Sequence, residues 1–397
     1  MCLFLDSAIC YGLGVWEEST DKQKTVMSRE TKKEHSGAFC DAGNVDNGPE
    51  PPSRPLLYQI EQLLVKAECK HGQDKDGVEM APERILAFMS FGNNVAIIDP
   101  QSPTLPNEMS ETECGDLAVA CNSVPIIQPM AVAKANRRLH ESIVRECTRH
   151  LEVGYFPRIL TIGGDHSIAM GSISGITCVL GNMLKRMPEY SSFTSPDPVV
   201  FWIDAHTDIN TPRTTRSGKL HGCPVSLLVG LDKDAWRELK AFDWAFEKLQ
   251  ELDKGSFVCS HKLVYIGTRD VDPLEREILD RENILEYSMD RVKERRENIT
   301  GMVEEALRQV DPTGAHPIHI SFDIDSLDPT IAASTGTPVP GGLMLDEGVA
   351  IIATLKNTGR LVSMDLVEVN PMIGTEEQVQ CTLVAASALI KTFSGMN

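Results

Sequence analysis

Five short apolar runs, "RILTI" (158–162), "VVFWI" (199–203), "KLVYIG" (262–267), "PIHISF" (317–322) and "LVSMDL" (361–366), recur along the chain with longer segments between them. Runs without polar alternation suit strands covered on both faces, the situation inside a parallel sheet enclosed by helices. Parallel neighbours need crossovers of about a dozen residues or more, usually helical. The intervening segments supply them: Val132, Leu139, Ile143 and Cys147 share one helical face within Met130–Leu151. Val379, Leu383, Ala386 and Ile390 do the same within Glu376–Phe393. The pattern predicts an α/β fold, a three-layer sandwich with a mostly parallel central sheet flanked by helices on both faces. Neither an internal repeat nor a second domain is visible.

Residues 17–57 are polar and end in "NGPEPPSRP", so 1–57 is expected to be a poorly ordered arm and 58–397 a single domain. With 397 residues and 42% hydrophobic content the chain is able to bury a sizeable core. A formal net charge of −19 repels polyanions, which argues against nucleic acid or an anionic membrane and favours a cationic small molecule. Eleven cysteines without CxxC spacing suit free thiols in a reducing, cytoplasmic setting. The opening "MCLFLDSAICYGLGV" has no basic start and carries Asp6, unlike a secretory signal. No later stretch is read as approaching the ~18 uncharged apolar residues of a membrane span.

Chemistry concentrates where the apolar runs end. "WIDAHTDIN" places Asp204, His206 and Asp208 at alternate positions, which face one way if the chain stays extended beyond "VVFWI". "SFDIDSLDP" adds Asp323 and Asp325, and "TIGGDHS" adds His166 after a glycine turn. Carboxyl ends of parallel strands are where α/β sheets bind ligands. Clustered, partly desolvated carboxylates are costly unless a cation joins them. One divalent ion leaves the four aspartates at −2, whereas two neutralise them, so two ions fit better. Oxygen-rich ligation with imidazole and no thiolate suits manganese. Any one of these motifs alone reads as a surface turn; their recurrence at three strand ends is what points to metal.

The blocks "GGDHSIAMGSISG", "DAHTDINTPRTTRSGKLHGCPVS", "VYIGTRDVDPLE", "SFDIDSLDP", "TGTPVPGGL" and "SMDLVEVNP" resemble those of arginases, in the ureohydrolase family, from about Pro129 to the C-terminus. The resemblance implies two Mn2+ per subunit. His166, Asp204, Asp208 and Asp323 would hold one, and His206, Asp204, Asp323 and Asp325 the other. It implies attack of a metal-bridging hydroxide on the guanidinium carbon of L-arginine, giving L-ornithine and urea. His221, Glu368 and Asp208 form the implied catalytic set: His221 delivers a proton to the departing amine and Glu368 orients the guanidinium. Thr337 lies on the guanidinium side of the implied pocket. Asn210 and Ser217 take the α-carboxylate, with Thr215 assisting through water, while Asp272 and Glu275 face the α-ammonium. Agmatine has no carboxylate and would leave Asn210 and Ser217 unpaired. The implied assembly is a homo-oligomer, a trimer.

Without the resemblance, His221 reads as a loop histidine, Glu368 as a strand-end glutamate, Thr337 as a turn hydroxyl and "DVDPLE" as the acidic first turn of a helix. Two departures stand out. Lys219 occupies "SGKLHG" where arginases usually have Asn, so substrate affinity is expected to change. In 58–128, "NNVAIIDPQSP" reads as the first strand and "TECGDL" as the lead into the second. Between them "PQSPTLPNEMSET" is barely long enough for a crossover and too proline-rich for a helix, so either one flank of the sheet is irregular or the chain is an altered isoform. The competing readings are agmatinase or another guanidino-substrate ureohydrolase, and a metal-binding but inactive regulatory protein.

Overall fold

The computed structural model describes residues 62–91, 95–100, 120–121, 124–152, 154–186, 193 and 195–396. Its strands are β1 (Gln62–Ala67), β2 (Val95–Ile98), β3 (Ala120–Cys121), β4 (Val124–Pro125), β5 (Arg158–Gly163), β6 (Val199–Ile203), β7 (Leu263–Ile266), β8 (Leu285–Tyr287), β9 (Ile318–Asp323) and β10 (Leu361–Val367). β3 and β4 form a small antiparallel pair. The others make one eight-stranded sheet in the order β2-β1-β5-β10-β9-β6-β7-β8, parallel throughout. The five apolar runs are its contiguous centre, β5-β10-β9-β6-β7.

Each central strand is buried on both faces. Phe201 and Ile203 of β6, with Ile320 and Phe322 of β9, meet Met302 and Val303 of the helix Ile299–Val310, Ile351 and Leu355 of Leu345–Asn357, and Leu389 of Glu376–Ser394. On the opposite face Val200 and Trp202 of β6 pack with Ile173 of the helix Ala169–Arg186 and Val132 of Pro129–Glu152. The alternate residues of one strand therefore serve two apolar layers, which explains the absence of polar alternation. Burying each such side chain contributes roughly 1.5–3 kcal/mol against exposure. The segment His166–Lys185 has a mean hydropathy of 1.4 and is long and apolar enough for a membrane span, contrary to the sequence reading. It is 83% buried in the protein, as the core helix of a sheet should be.

The sheet's first flank corrects the expectation. "VAII" is the second strand, not the first: β1 precedes it and pairs with it in parallel from Gln62↔Val95 to Val65↔Ile98. The crossover lies upstream, between Ala67 and Val95, and contains the helix Ala81–Phe88, with Pro82 in its first turn where a missing N–H costs nothing. β1 escaped notice because "QLLVKA" sits just behind the proline-rich segment and carries Gln62 and Lys66. "PQSPTLPNEMSET", "TECGDL" and the arm 1–57 lie outside the described residues.

Parallel pairing puts the carboxyl ends of all eight strands on one edge. There the turn after β5 approaches the turn after β1: Gly164 N–H donates to Ala67 O at 2.7 Å, and Asp165 N–H to Cys69 O at 2.9 Å. A Cβ on Gly164 would overlap the Cys69 carbonyl, a backbone group that has no rotamer in which to escape. Gly164→Ala is expected to lower stability by about 1–3 kcal/mol, the usual cost of overpacking. Urea unfolding measures it, and an unchanged midpoint would show that the two turns are not packed this closely.

Candidate metal centre and active site

β6 stops at Ile203 and the chain bends through Asp204–His206. Asp208 has a left-handed φ of 48°. The expected extended continuation is thus replaced by a bend, and Asp204, His206 and Asp208 converge through that bend rather than through strand alternation. Local backbone bonds orient the carboxylates: His206 N–H donates to Asp204 Oδ1 at 2.7 Å and Asp325 N–H to Asp323 Oδ1 at 2.8 Å. Trp202 Nε1 donates to Asp204 Oδ2 at 2.9 Å.

Two donor groups result. His166 Nδ1 lies 3.1 Å from Asp204 Oδ2, 3.0 Å from Asp208 Oδ2 and 3.2 Å from Asp323 Oδ2. His206 Nδ1 lies 3.4 Å from Asp204 Oδ1 and 3.3 Å from Asp325 Oδ2. Within His166, Asp204 and Asp208, and again within Asp204, His206 and Asp325, the ligating atoms lie within 4.8 Å of one another. Asp204 belongs to both groups and offers one oxygen to each histidine. Asp323 stands beside His166; its expected second contact, toward His206, is not among the close pairs.

The donor set fits cations. His166 is buried, yet its Nδ1 makes no hydrogen bond of good geometry, while Nε2 lies 2.9 Å from Ser321 Oγ. The ring stacks on Trp202 at 4.0 Å between centroids. A hydrogen bond at Nε2 leaves the Nδ1 lone pair to face three carboxylates, the arrangement of a metal-ligating histidine. The electrostatics agree. Burial opposes charging His166, but Asp204, Asp208 and Asp323 overcome it and hold the imidazole well above its usual range. Burial and the Asp204 charge push Asp208 up to about 6, and burial with Asp325 and Asp204 pushes Asp323 well up. Asp204 moves the other way: His166 and His206 hold its carboxyl low against its burial.

An open cleft of about 270 Å³ lies above these groups, lined among others by His206, Asp208, Asp323, His221 and Glu368. His221 Nδ1 is 3.2 Å from Glu368 Oε1, which also accepts from His166 N–H at 2.9 Å. Burial opposes protonation of His221, but Glu368 outweighs it and raises the imidazole; Glu368 itself is held low by His221 against its burial. Thr337 Oγ1 donates to Asp325 Oδ2 at 3.0 Å, so it supports a donor group rather than a mere turn. Asn210, Ser217, Asp272 and Glu275 all line the cleft, and Thr215 does not: its hydroxyl accepts from Gly218 N–H at 3.2 Å. Asp272 starts the helix Pro273–Glu282 and its N–H donates to Glu275 Oε2 at 3.0 Å, so "DVDPLE" is both an acidic helix turn and a cleft wall. Burial pushes Glu275 up to about 7. Lys219 Nζ pairs with Asp74 Oδ1 at 2.6 Å.

Three residues were missed by sequence reasoning. Asp270 lines the cleft with its Oδ2 3.9 Å from His206 Nε2, and its place inside "TRDVDPLE" made it visible. Asp165 accepts from Gly72 N–H at 2.9 Å and Ser167 N–H at 3.0 Å. Gln73 Nε2 donates to Glu368 Oε2 at 2.7 Å. Gln73 carried no signal, because its role depends on the unrecognised β1.

Four aspartates and two histidines at the carboxyl edge of a parallel sheet, flooring an acidic cleft, define a hydrolase of metal-assisted type. A family model described as the arginase family matches residues 61–394, so the match extends well upstream of Pro129. The arginase of Glaciozyma antarctica is 42% identical over 359 residues, covering 88% of this chain and 92% of that one. Human "Arginase-2, mitochondrial" is 41% identical, covering 82% and 84%. A solved structure of Entamoeba histolytica arginase in complex with L-ornithine aligns with a TM-score of 0.60 at 27% identity, covering 83% and 98%. The chain belongs to the arginase family.

Because Asp204 serves both donor groups, Asp204→Asn is expected to weaken divalent-cation binding at both, and Asp325→Asn at one. Elemental analysis after dialysis checks this; equal losses in the two variants would contradict a shared Asp204. Protons compete with metal for these ligands, so occupancy should fall as pH drops, and the raised proton affinities of His166 and Asp208 place that loss above the ordinary carboxylate range.

Proposed function

We propose that the protein hydrolyses L-arginine to L-ornithine and urea, with two Mn2+ per subunit at the donor groups of His166 and His206. The observation that carries this is the His221–Glu368 pair, at 3.2 Å, beside two carboxylate–imidazole groups that share Asp204. When bound, a pair of such ions lowers the pKa of water and so supplies a nucleophile at neutral pH. The rest is done by the chain. Glu368 and the acidic cleft attract a guanidinium, and a planar charge-assisted pair orients it. His221 is anchored through Nδ1, leaving Nε2 as the nitrogen that gives a proton to the departing amine. Its raised proton affinity keeps that proton available near neutral pH.

Arginine is favoured over agmatine by the far end of the cleft. Asn210 and Ser217 offer neutral groups for a carboxylate, and Arg216 and Lys219 stand on either side of Ser217 in the chain. Asp272 and Glu275 suit the α-ammonium. Agmatine presents no carboxylate, and polar groups left without a partner penalise it. The relatives named arginase, and the L-ornithine bound to the Entamoeba histolytica enzyme, support the same choice. With this reading go a homotrimer, resting on the resemblance to arginases, a cytoplasmic location, resting on the cysteine pattern, and a single domain over 58–397 behind an N-terminal arm.

Mn2+-loaded protein is expected to release urea from L-arginine faster than from agmatine. No arginine-dependent urea, with metal bound, would favour an inactive metal-binding protein; equal or faster agmatine turnover would favour an agmatinase. His221→Asn is expected to lower kcat by about 10²–10⁴-fold with metal retained, the usual contribution of a positioned acid.

A further inference from the structure

The loop from Lys70 to Gly77, which follows β1, is tied to the site at five points besides the Lys219–Asp74 pair. Gly72 N–H donates to Asp165 Oδ2 at 2.9 Å, and Gly72 O accepts from His221 N–H at 3.2 Å. Asp76 O accepts from Asn370 Nδ2 at 3.0 Å, and Lys75 Nζ donates to Gly336 O. The fifth tie is Gln73, whose Nε2 reaches Glu368 Oε2 at 2.7 Å. Gln73 is only 5% exposed although it lies in a loop.

Gln73 is not needed merely to hold the loop, which has five other anchors, the Lys219–Asp74 pair included. What it completes is the set of donors around one carboxylate. Glu368 Oε1 takes His166 N–H and His221 Nδ1, so Gln73 is the donor at Oε2. Glu368 also has a left-handed φ of 63°, unusual for a glutamate, so its side chain leaves the backbone in a direction that neighbours must fix.

We propose that Gln73 is a positioning residue for the hydrolysis: by fixing Glu368 Oε2 it fixes the carboxylate against which His221 is set. This rests on the proposed arginine hydrolysis. Without the amide donor the Glu368 charge persists and still attracts a guanidinium, but its plane is free to turn and His221 loses its register. The cost therefore falls on kcat rather than on KM.

The test measures kcat and KM for L-arginine, bound metal and thermal midpoint in the full-length chain. Gln73→Met keeps the length of the side chain without its donor. It is expected to lose on the order of tenfold to a hundredfold in kcat, as for a hydrogen bond to a charged group, with KM within about threefold of wild type. Metal content and thermal midpoint should stay near wild type. Asp76→Asn, which removes only the exposed Lys70–Asp76 pair in the same loop, should leave every quantity unchanged. Should Gln73→Met fail to fold, Gln73→Leu, neutral and of similar volume but lacking the N–H groups, carries the test with the same expectations. A kcat within twofold of wild type, a loss confined to KM, or an equal loss in Asp76→Asn would overturn the proposal while leaving the arginine reading intact. A wild type that releases no urea would remove that reading and this inference together.

Discussion

The mutual repulsion of four buried aspartates organises this molecule. Asp204, Asp208, Asp323 and Asp325 are each at most 8% exposed, and their charges lie where water cannot screen them. The fold concentrates compensating groups there: backbone N–H groups of His206 and Asp325, the Trp202 indole, and two imidazoles. Burial and mutual repulsion still push Asp208 and Asp323 up, while His166 and His206 hold Asp204 low against its burial. The chain holds these ligand atoms preassembled, within 4.8 Å of one another in each group.

The parallel sheet is what makes the assembly feasible. β5, β6, β9 and β10 deliver His166, Asp204, Asp323 and Glu368 to one edge, and each strand end is followed by a tight turn that aims its side chain. The Gly164 approach to Cys69 then locks the β5 turn to the β1 turn, and the loop behind β1 closes over Glu368. Residues nearly three hundred positions apart, Gln73 and Glu368, are joined by a single hydrogen bond.

Much of this was legible in the sequence because strand burial on two faces leaves continuous apolar runs, and because each run ends directly in its functional residues. The five central strands, the two long helices and the convergence of the six candidate donor residues were readable on those grounds. What was not legible has physical causes. β1 and β8 are flank strands, one with polar residues and one only three residues long, and neither presents the apolar signature of the centre. The bend at Asp204–His206 and the left-handed Asp208 depend on neighbouring segments, so strand geometry alone gave the right convergence by the wrong path. Lys219 looked like a threat to substrate binding from its position in "SGKLHG"; its pairing with Asp74 shows that part of its charge is engaged outside the cleft.

Anomalous diffraction from crystals of the Mn2+-loaded protein addresses the shared carboxylate cluster directly. Two peaks about 3.5–4 Å apart, one beside His166 and Asp208 and one beside His206 and Asp325, with Asp204 between them, are expected. A single peak, or ions bound away from Asp204, would contradict the proposed binuclear centre.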